Sequence, residues 1–133
     1  MTIKLINPKN LYDGSAFGMS HATLDTDSGI IYISGQVGWD SNAEVVNNDI
    51  KSQTISALQN LKTVLEAANS SFANILHIKI YVRGEVADHI QEVMPLIAEF
   101  YQGHRPATTG IGVASLATPE TLIEIEATAK IKP

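Results

Sequence analysis

Two stretches near the end of the chain decide the fold: HRPATTGIGV at residues 104–113 and LIEIEATAK at residues 122–130. Both have period-2 alternation bounded by turn residues, so both are predicted β-strands. In the second stretch, Ile123, Ile125 and Ala127 share one face of the strand. Glu124 and Glu126 share the other face. Two readings of this carboxylate pair stay open: a solvated outer face of an antiparallel sheet, or a functional site.

The remaining chain supplies further strands and two amphipathic helices. Strands are predicted at residues 3–6, 21–24, 30–34 and 75–82, and helices at about 49–68 and 86–102. Pro95 lies inside the second helix and is expected to kink it or displace its start. The order β-β-β-α-β-α-β-β predicts one α+β domain over residues 1–133, with both helices on one face of a mixed sheet. The other sheet face lacks a covering helix, which suggests self-association.

Composition excludes several classes of function. The chain has 133 residues, is 44% hydrophobic and carries a net charge of −5. An acidic chain without a basic cluster is not expected to bind nucleic acid. It has no cysteine, which excludes disulfides and thiolate chemistry. Neither a signal-peptide core nor a membrane-spanning apolar run is present, so we expect a soluble cytoplasmic protein.

Generic catalytic motifs are absent. There is no phosphate-binding glycine loop and no HExxH pattern, and the four histidines are scattered. We therefore expect neither a metal site nor a cofactor. The segment SGQVGW at residues 34–39 contains two glycines, which fit either a close approach of the backbone to another group or a tight turn.

A family resemblance rests on five short segments: ISGQV (33–37), LEAA (65–68), KIYV (79–82), RPAT (105–108) and IEIEA (123–127). In order and spacing they resemble the Rid family (YjgF/RidA, once called "endoribonuclease L-PSP") over essentially the whole chain. The resemblance implies a chorismate-mutase-like α+β subunit. It also implies a homotrimer with a central barrel and three clefts between subunits.

The resemblance further implies a small-molecule substrate and a set of site residues. Well-studied members of the family hydrolyse reactive imines and enamines, such as 2-iminobutanoate, without a cofactor. The matching positions imply that Glu124 activates water and that Ser34 and Gly35 contact the substrate. Thr108 stands where the family has an arginine that binds the substrate carboxylate, so the chain resembles an arginine-less branch. The other positions expected to line the cleft are Gly110, Met94, Met19, Phe17 and Trp39.

Two functions remain open from the sequence. The first is a cofactor-independent hydrolase or deaminase acting on a small imine, enamine or amide, because Glu124 is retained. The second is a trimeric module that binds or senses small metabolites without turnover, because the arginine is lost. Thr108 argues against the usual 2-imino acid deaminase activity, since threonine cannot form a charged bidentate pair with a carboxylate. The acidic charge argues against the ribonuclease activity in the old family name.

Overall fold

Six strands and two helices form the structure, a computed structural model that describes residues 2–133. The strands are β1 (Ile3–Ile6), β2 (Ala22–Asp25), β3 (Ile30–Val37), β4 (Ile75–Arg83), β5 (Ala107–Val113) and β6 (Ile123–Lys130). The helices are α1 (Ile50–Ala67) and α2 (Val86–Tyr101). The predicted order of elements and the α+β class are confirmed. The main difference in bounds is that β3 continues past Ser34 to Val37.

β6 lies in the interior of the sheet, whose strand order is β1-β2-β3-β6-β4-β5. It pairs antiparallel with β3 on one side and with β4 on the other. β4 and β5 are parallel, and α2 makes the crossover between them. The last strand in the chain therefore brings residues of β3 and β4 together, which makes β6 the strand on which a site in this sheet depends.

Both helices pack on the same face of the sheet, as predicted. Leu58, Leu61 and Leu65 of α1 are fully buried in the same apolar cluster as Ile123 and Ile125 of β6. From α2, Val93 and Ile97 join that cluster. Neither helix combines the length and apolar character needed to cross a membrane, among the residues described.

The helix ends follow the capping signals in the sequence. Asp49 caps α1, and its side chain accepts a hydrogen bond from the Ser52 amide. Asn69 has a positive φ of 57° just beyond the helix, as expected for a left-handed exit. α2 begins at Val86, where the pattern predicts it, so Pro95 does not displace the start of that helix.

A buried glutamine connects α1 to the entry of β6. The Gln53 side chain is fully buried, and its Nε2 donates hydrogen bonds to the carbonyls of Asn47 (2.8 Å) and Glu120 (2.9 Å). Its Oε1 accepts a hydrogen bond from the Leu122 amide at 2.8 Å. Gly38 permits this arrangement, because a Cβ at Gly38 would lie 3.0 Å from the Gln53 Cα. Gln53 thus fixes the segment from which Glu124 emerges.

Gln53→Leu is expected to lower the free energy of unfolding by roughly 2–4 kcal/mol, because it leaves buried carbonyl and amide groups without partners. Urea unfolding followed by circular dichroism measures the change. The matched control is Gln59→Leu on the exposed face of the same helix, where a change within about 0.5 kcal/mol is expected. Equal effects of the two substitutions would contradict a role for the Gln53 hydrogen bonds.

Candidate functional site

Glu124 projects from the face of the sheet opposite the helices. Its neighbours Ile123 and Ile125 are fully buried on the helix side, so the alternation of β6 turns Glu124 the other way. In the sheet it lies between Val37 of β3 and Tyr81 of β4. Glu124 is therefore half-buried by the strands on either side of it rather than by a helix.

Gly35 leaves room for the Glu124 carboxylate. The register of β3 against β6 shifts between Ile33 and Gln36, and Gly35 lies in this irregular segment. A Cβ built at Gly35 would overlap the Glu124 side chain. Of the two alternatives left open for the glycines of this segment, the structure shows the close approach, at Gly35 by the carboxylate and at Gly38 by α1.

The surroundings of Glu124 favour its protonated form. Burial raises the pKa of the Glu124 carboxyl, and the negative charge of Glu126 raises it further. The two residues are separated by one position on β6 and share its outer face. A carboxyl with a raised pKa can exchange a proton closer to neutral pH than an ordinary glutamate.

Ser34 ties an N-terminal loop to the sheet. Its Oγ donates a hydrogen bond to the Ser20 carbonyl at 2.7 Å, and its amide donates to the His21 carbonyl at 2.9 Å. The hydroxyl proton is thus engaged, and its oxygen is left to accept a further hydrogen bond. A surface pocket of about 410 Å³ lies beside Ser34, lined also by Leu5 and Tyr32, and Glu124 is not part of its wall.

Trp39 and Tyr12 form an aromatic group beyond the end of β3. The Trp39 Nε1 donates to the Thr121 hydroxyl at 3.0 Å, three residues before Glu124. The Tyr12 ring lies 5.2 Å from the Trp39 ring and 4.7 Å from the His21 imidazole, between ring centres. Burial raises the pKa of Tyr12, and the charge of Glu124 adds to this. Tyr12 is therefore a neighbour of Glu124.

Buried His21 holds the loop that carries Tyr12. Its Nε2 lies 2.8 Å from the Tyr12 carbonyl, and its Nδ1 lies 3.2 Å from the side-chain amide nitrogen of Gln36. Since that amide nitrogen can only donate, Nδ1 accepts and Nε2 donates to Tyr12. The neutral tautomer of His21 is thereby fixed by its two partners.

Thr108 and Gly110 lie on the helix side of the sheet. They pair with Ile78 and Ile80 of β4, both buried in the core, and paired residues of neighbouring strands share a face. A Cβ at Gly110 would lie 3.7 Å from Val86 of α2. The Thr108 hydroxyl donates to the Pro106 carbonyl at 3.0 Å. Within one chain, Thr108 and Glu124 are therefore on opposite faces.

Tyr101 is a second polar neighbour of Thr108, on α2. Burial raises the pKa of the Tyr101 hydroxyl to about 12, and the Thr108 side chain acts in the opposite direction. The contact falls short of full hydrogen-bond geometry, and the buried Tyr101 hydroxyl has no partner among the residues described. The Thr108 and Tyr101 hydroxyls thus lie where the resemblance implies an arginine guanidinium group.

The other predicted residues are dispersed. Phe17 and Met19 lie in the loop before β2, with 82% and 46% of their surfaces exposed. Met94 is partly buried and packs from α2 against the core. A surface pocket of about 710 Å³ lies at the C-terminal end of α2, beside Lys62 and Phe72, and includes none of the predicted site residues. One chain thus holds two separate groups of predicted residues. The first is Ser34, Gly35, Trp39 and Glu124. The second is Thr108 and Gly110, which lie on the side of the sheet that α2 covers.

Sequence reasoning missed two tyrosines beside Glu124. Tyr12 appeared only as an aromatic residue in a loop, and Tyr81 only as a polar position of a strand. The alternation of β4 indicates that Tyr81 lies on the outer face of the sheet. This places Tyr81 beside Glu124 only once β4 is known to pair with β6. In the part of the chain that the structure describes, no three His, Asp or Glu side chains cluster closely enough to hold a metal ion.

Known proteins resemble this chain in sequence and fold. The family model described as "Endoribonuclease L-PSP" matches residues 17–131. A RutC family protein of Pyrococcus horikoshii is 33% identical over 100 residues, which cover 74% of this chain and 77% of the relative. A 2-iminobutanoate/2-iminopropanoate deaminase of Dermatophagoides farinae is 29% identical over 97 residues, covering 72% of this chain and 73% of that protein.

A solved structure extends the likeness to nearly every residue. It is a Rid family protein of unknown function from Yersinia pestis, 39% identical in sequence with a TM-score of 0.74. The match covers 98% of this chain and 100% of that one. The shared α+β fold therefore includes all the strands that carry the candidate site.

Glu124→Gln is expected to stabilise the protein more at about pH 8 than at about pH 4. The folded-state pKa of Glu124 is raised, so its contribution to stability is complete below the unfolded pKa. That contribution is lost as the pH rises through the folded-state pKa of Glu124. The contribution of a glutamine does not change with pH, because its side chain does not titrate. Urea unfolding at both pH values measures the difference between variant and wild type. Exposed Glu66→Gln is the control, and a difference for Glu124→Gln that does not depend on pH would contradict the raised pKa.

Proposed function

This chain belongs to the endoribonuclease L-PSP (YjgF/Rid) family, and from that premise we propose that it hydrolyses a small reactive imine, enamine or related metabolite without a cofactor. The observation that carries the proposal is the environment of Glu124, a half-buried carboxylate next to the bare backbone of Gly35. The relative from Dermatophagoides farinae named as an imine deaminase supports the same class of reaction.

In the proposed reaction, Glu124 is first a base and then an acid. Its ionised carboxylate takes a proton from water as the oxygen attacks the carbon of the protonated imine (the iminium), which gives a neutral carbinolamine. The same carboxyl then returns that proton to the amine nitrogen. The C–N bond breaks as the carbinolamine hydroxyl gives its own proton to the carboxylate, so that a carbonyl compound and ammonia leave and the carboxyl releases this last proton to solvent. A group that gives and accepts one proton within a cycle works best with a pKa near the working pH, and burial moves Glu124 in that direction.

Groups near Glu124 would orient the substrate. The Gly35 backbone lies against the Glu124 carboxylate, and the oxygen of neighbouring Ser34 can accept a hydrogen bond from an imine or amine N–H. Trp39 supplies an apolar wall through its contact with Tyr12. Holding water and the imine carbon at one place lowers the entropic part of the barrier.

Thr108 shapes the proposed substrate class. A threonine hydroxyl offers one neutral hydrogen bond. The family resemblance implies an arginine at this position, which would form two charged hydrogen bonds to a carboxylate. The neighbouring Tyr101 hydroxyl is neutral as well at physiological pH, because its pKa is about 12. We therefore propose a substrate that lacks a carboxylate, in place of the 2-imino acids named for the relative.

The complete site requires more than one subunit in this proposal. Thr108 and Gly110 lie on the helix face, and Ser34, Gly35 and Glu124 lie on the other, so one chain cannot offer both groups to one small molecule. A homotrimer with clefts between subunits, as the resemblance implies, would let one chain's β5 face another chain's β6. Exposed Leu5 and Tyr32 on the uncovered sheet face support such an interface. A cytoplasmic location is part of the same proposal.

A binding module without turnover is the second candidate. The engaged Ser34 hydroxyl and the neutral Thr108 favour it, because neither polarises a substrate strongly. The same clefts would then hold a metabolite and report its presence. Turnover by the purified protein distinguishes the two functions.

Glu124→Gln is expected to abolish hydrolysis, with a loss of roughly 10²–10⁴-fold, because the amide cannot accept the water proton. The assay follows ammonia and carbonyl release from a panel of small imines made in situ, including 2-iminobutanoate from a threonine dehydratase. Size-exclusion chromatography checks that the variant keeps the assembly of the wild type.

Glu66→Gln on the exposed side of α1 is the control and should keep full activity. If the wild type accelerates no imine beyond the uncatalysed rate, the hydrolase proposal fails and the binding module is supported. If Glu124→Gln keeps full activity, the assigned role of Glu124 is wrong.

Thr108→Arg is expected to raise 2-iminobutanoate hydrolysis by about tenfold or more, because a bidentate pair with the substrate carboxylate is worth more than 1.4 kcal/mol. Thr109→Arg is the matched control: it puts the same charge one residue along β5, beside Lys79 on the opposite face. No rise in Thr108→Arg, or an equal rise in both variants, would contradict the placement of Thr108 in the cleft.

A further inference from the structure

The uncovered face of β4 and β6 carries a small polar cluster. Tyr81 lies directly across from Glu124, and Lys79 lies directly across from Glu126. Despite this register, the Tyr81 hydroxyl reaches diagonally and donates a hydrogen bond to Glu126 Oε1. Tyr81 thus contacts the Glu126 carboxylate through its hydroxyl, while its backbone lies opposite that of Glu124.

This hydrogen bond keeps Tyr81 in its neutral form. The bond to Glu126 is the largest of the effects that raise the pKa of Tyr81 to about 12, followed by burial and the charges of Glu126 and Glu124. Tyr81 is therefore a neutral donor at physiological pH. A phenol that donates to a carboxylate stabilises its ionised form.

We propose that Tyr81 is a positioning residue: its hydroxyl holds the Glu126 carboxylate turned toward β4, so that the charge of Glu126 is fixed close to Glu124 and decides when Glu124 takes up a proton. The inference rests on the proposed role of Glu124 in proton transfer. It assigns the pair Tyr81–Glu126 to the control of that transfer and gives neither residue a contact with substrate.

Other charged or titratable groups near this face come from the first loop and from three strands. They are Tyr12 in the first loop, Tyr32 on β3, His77, Lys79 and Arg83 on β4, and Lys130 on β6, while β5 contributes none. Arg83 is engaged by the carbonyls of Ala114, Thr118 and Thr121. His77 lies 3.1 Å from the Thr109 hydroxyl. In the described part of the chain, none of these groups has a hydrogen bond to either carboxylate, whereas Tyr81 has one to Glu126.

A definite coupling follows from this arrangement. With the Glu126 carboxylate held close by, Glu124 takes up a proton at higher pH, because burial and the charge of Glu126 both raise its pKa. Without the Tyr81 hydroxyl, the Glu126 carboxylate is free to turn away from Glu124. The titration midpoint of Glu124 then moves to lower pH.

Tyr81→Phe tests the coupling by titration of the glutamate side-chain carboxyl ¹³C signals, with Glu124→Gln and Glu126→Gln used to assign them. We expect the Glu124 midpoint to fall by several tenths of a pH unit in Tyr81→Phe. The matched control is Thr128→Val, which removes a hydroxyl from the same sheet face, on β6, and should leave the midpoint unchanged. An unchanged or raised midpoint in Tyr81→Phe, or an equal fall in both variants, would overturn the proposal.

A double-mutant comparison separates the hydrogen bond from any general loosening of the sheet. Glu126→Gln should lower the Glu124 midpoint by itself, and adding Tyr81→Phe should then lower it no further. An additional fall in the double variant would show that Tyr81 acts on Glu124 by another route and would overturn the proposal.

The titration needs no substrate, so it gives its answer even if the hydrolase proposal fails. Where the wild type turns over an imine, the pH–rate profile provides a second reading. Its Glu124-dependent limb should move to lower pH in Tyr81→Phe and stay in place in Thr128→Val. A limb that stays in place in both variants would contradict the inference.

Discussion

The alternation of β6 is the constraint on which the site depends. Ile123 and Ile125 must be buried beneath the helices, and a strand cannot turn these residues inward without turning Glu124 and Glu126 outward. A slip of one residue would bury both carboxylates in an apolar core, at a cost that no nearby partner offsets. The burial that stabilises the fold therefore also fixes the two carboxylates side by side.

Several devices keep β6 in that register. Gln53 binds the chain just before the strand from the helix side, and Arg83 binds the carbonyls of the same connection. Gly35 allows β3 to close on Glu124, where a residue with a side chain would hold the two strands apart. These contacts stabilise the fold, and together they fix the position of the Glu124 carboxylate.

The fold could be predicted because its signals are local. Period-2 runs give β4 and β6, the cap at Asp49 and the exit at Asn69 bound α1, and the order of elements gives the class. The site could be predicted only in part. Glu124 and Gly35 lie on strands that a family resemblance aligns, but the partner of Glu126 depends on β4 lying beside β6, a non-local pairing that no periodicity reveals. For the same reason, the sequence could not show that Thr108 and Glu124 lie on opposite faces.

Charge, more than shape, distinguishes the proposed substrate. Glu124 and Glu126 place two acidic groups on one sheet face, and in the proposed cleft Thr108 and Tyr101 add only neutral hydroxyls. A substrate carboxylate entering this cleft would be repelled at short range by the two glutamates, and no arginine stands at position 108 to offset the repulsion. A neutral imine meets no such penalty, and a protonated iminium would be attracted. Under the proposed function, the loss of one arginine thus changes the preferred charge of the substrate and leaves the water-activating carboxylate in place.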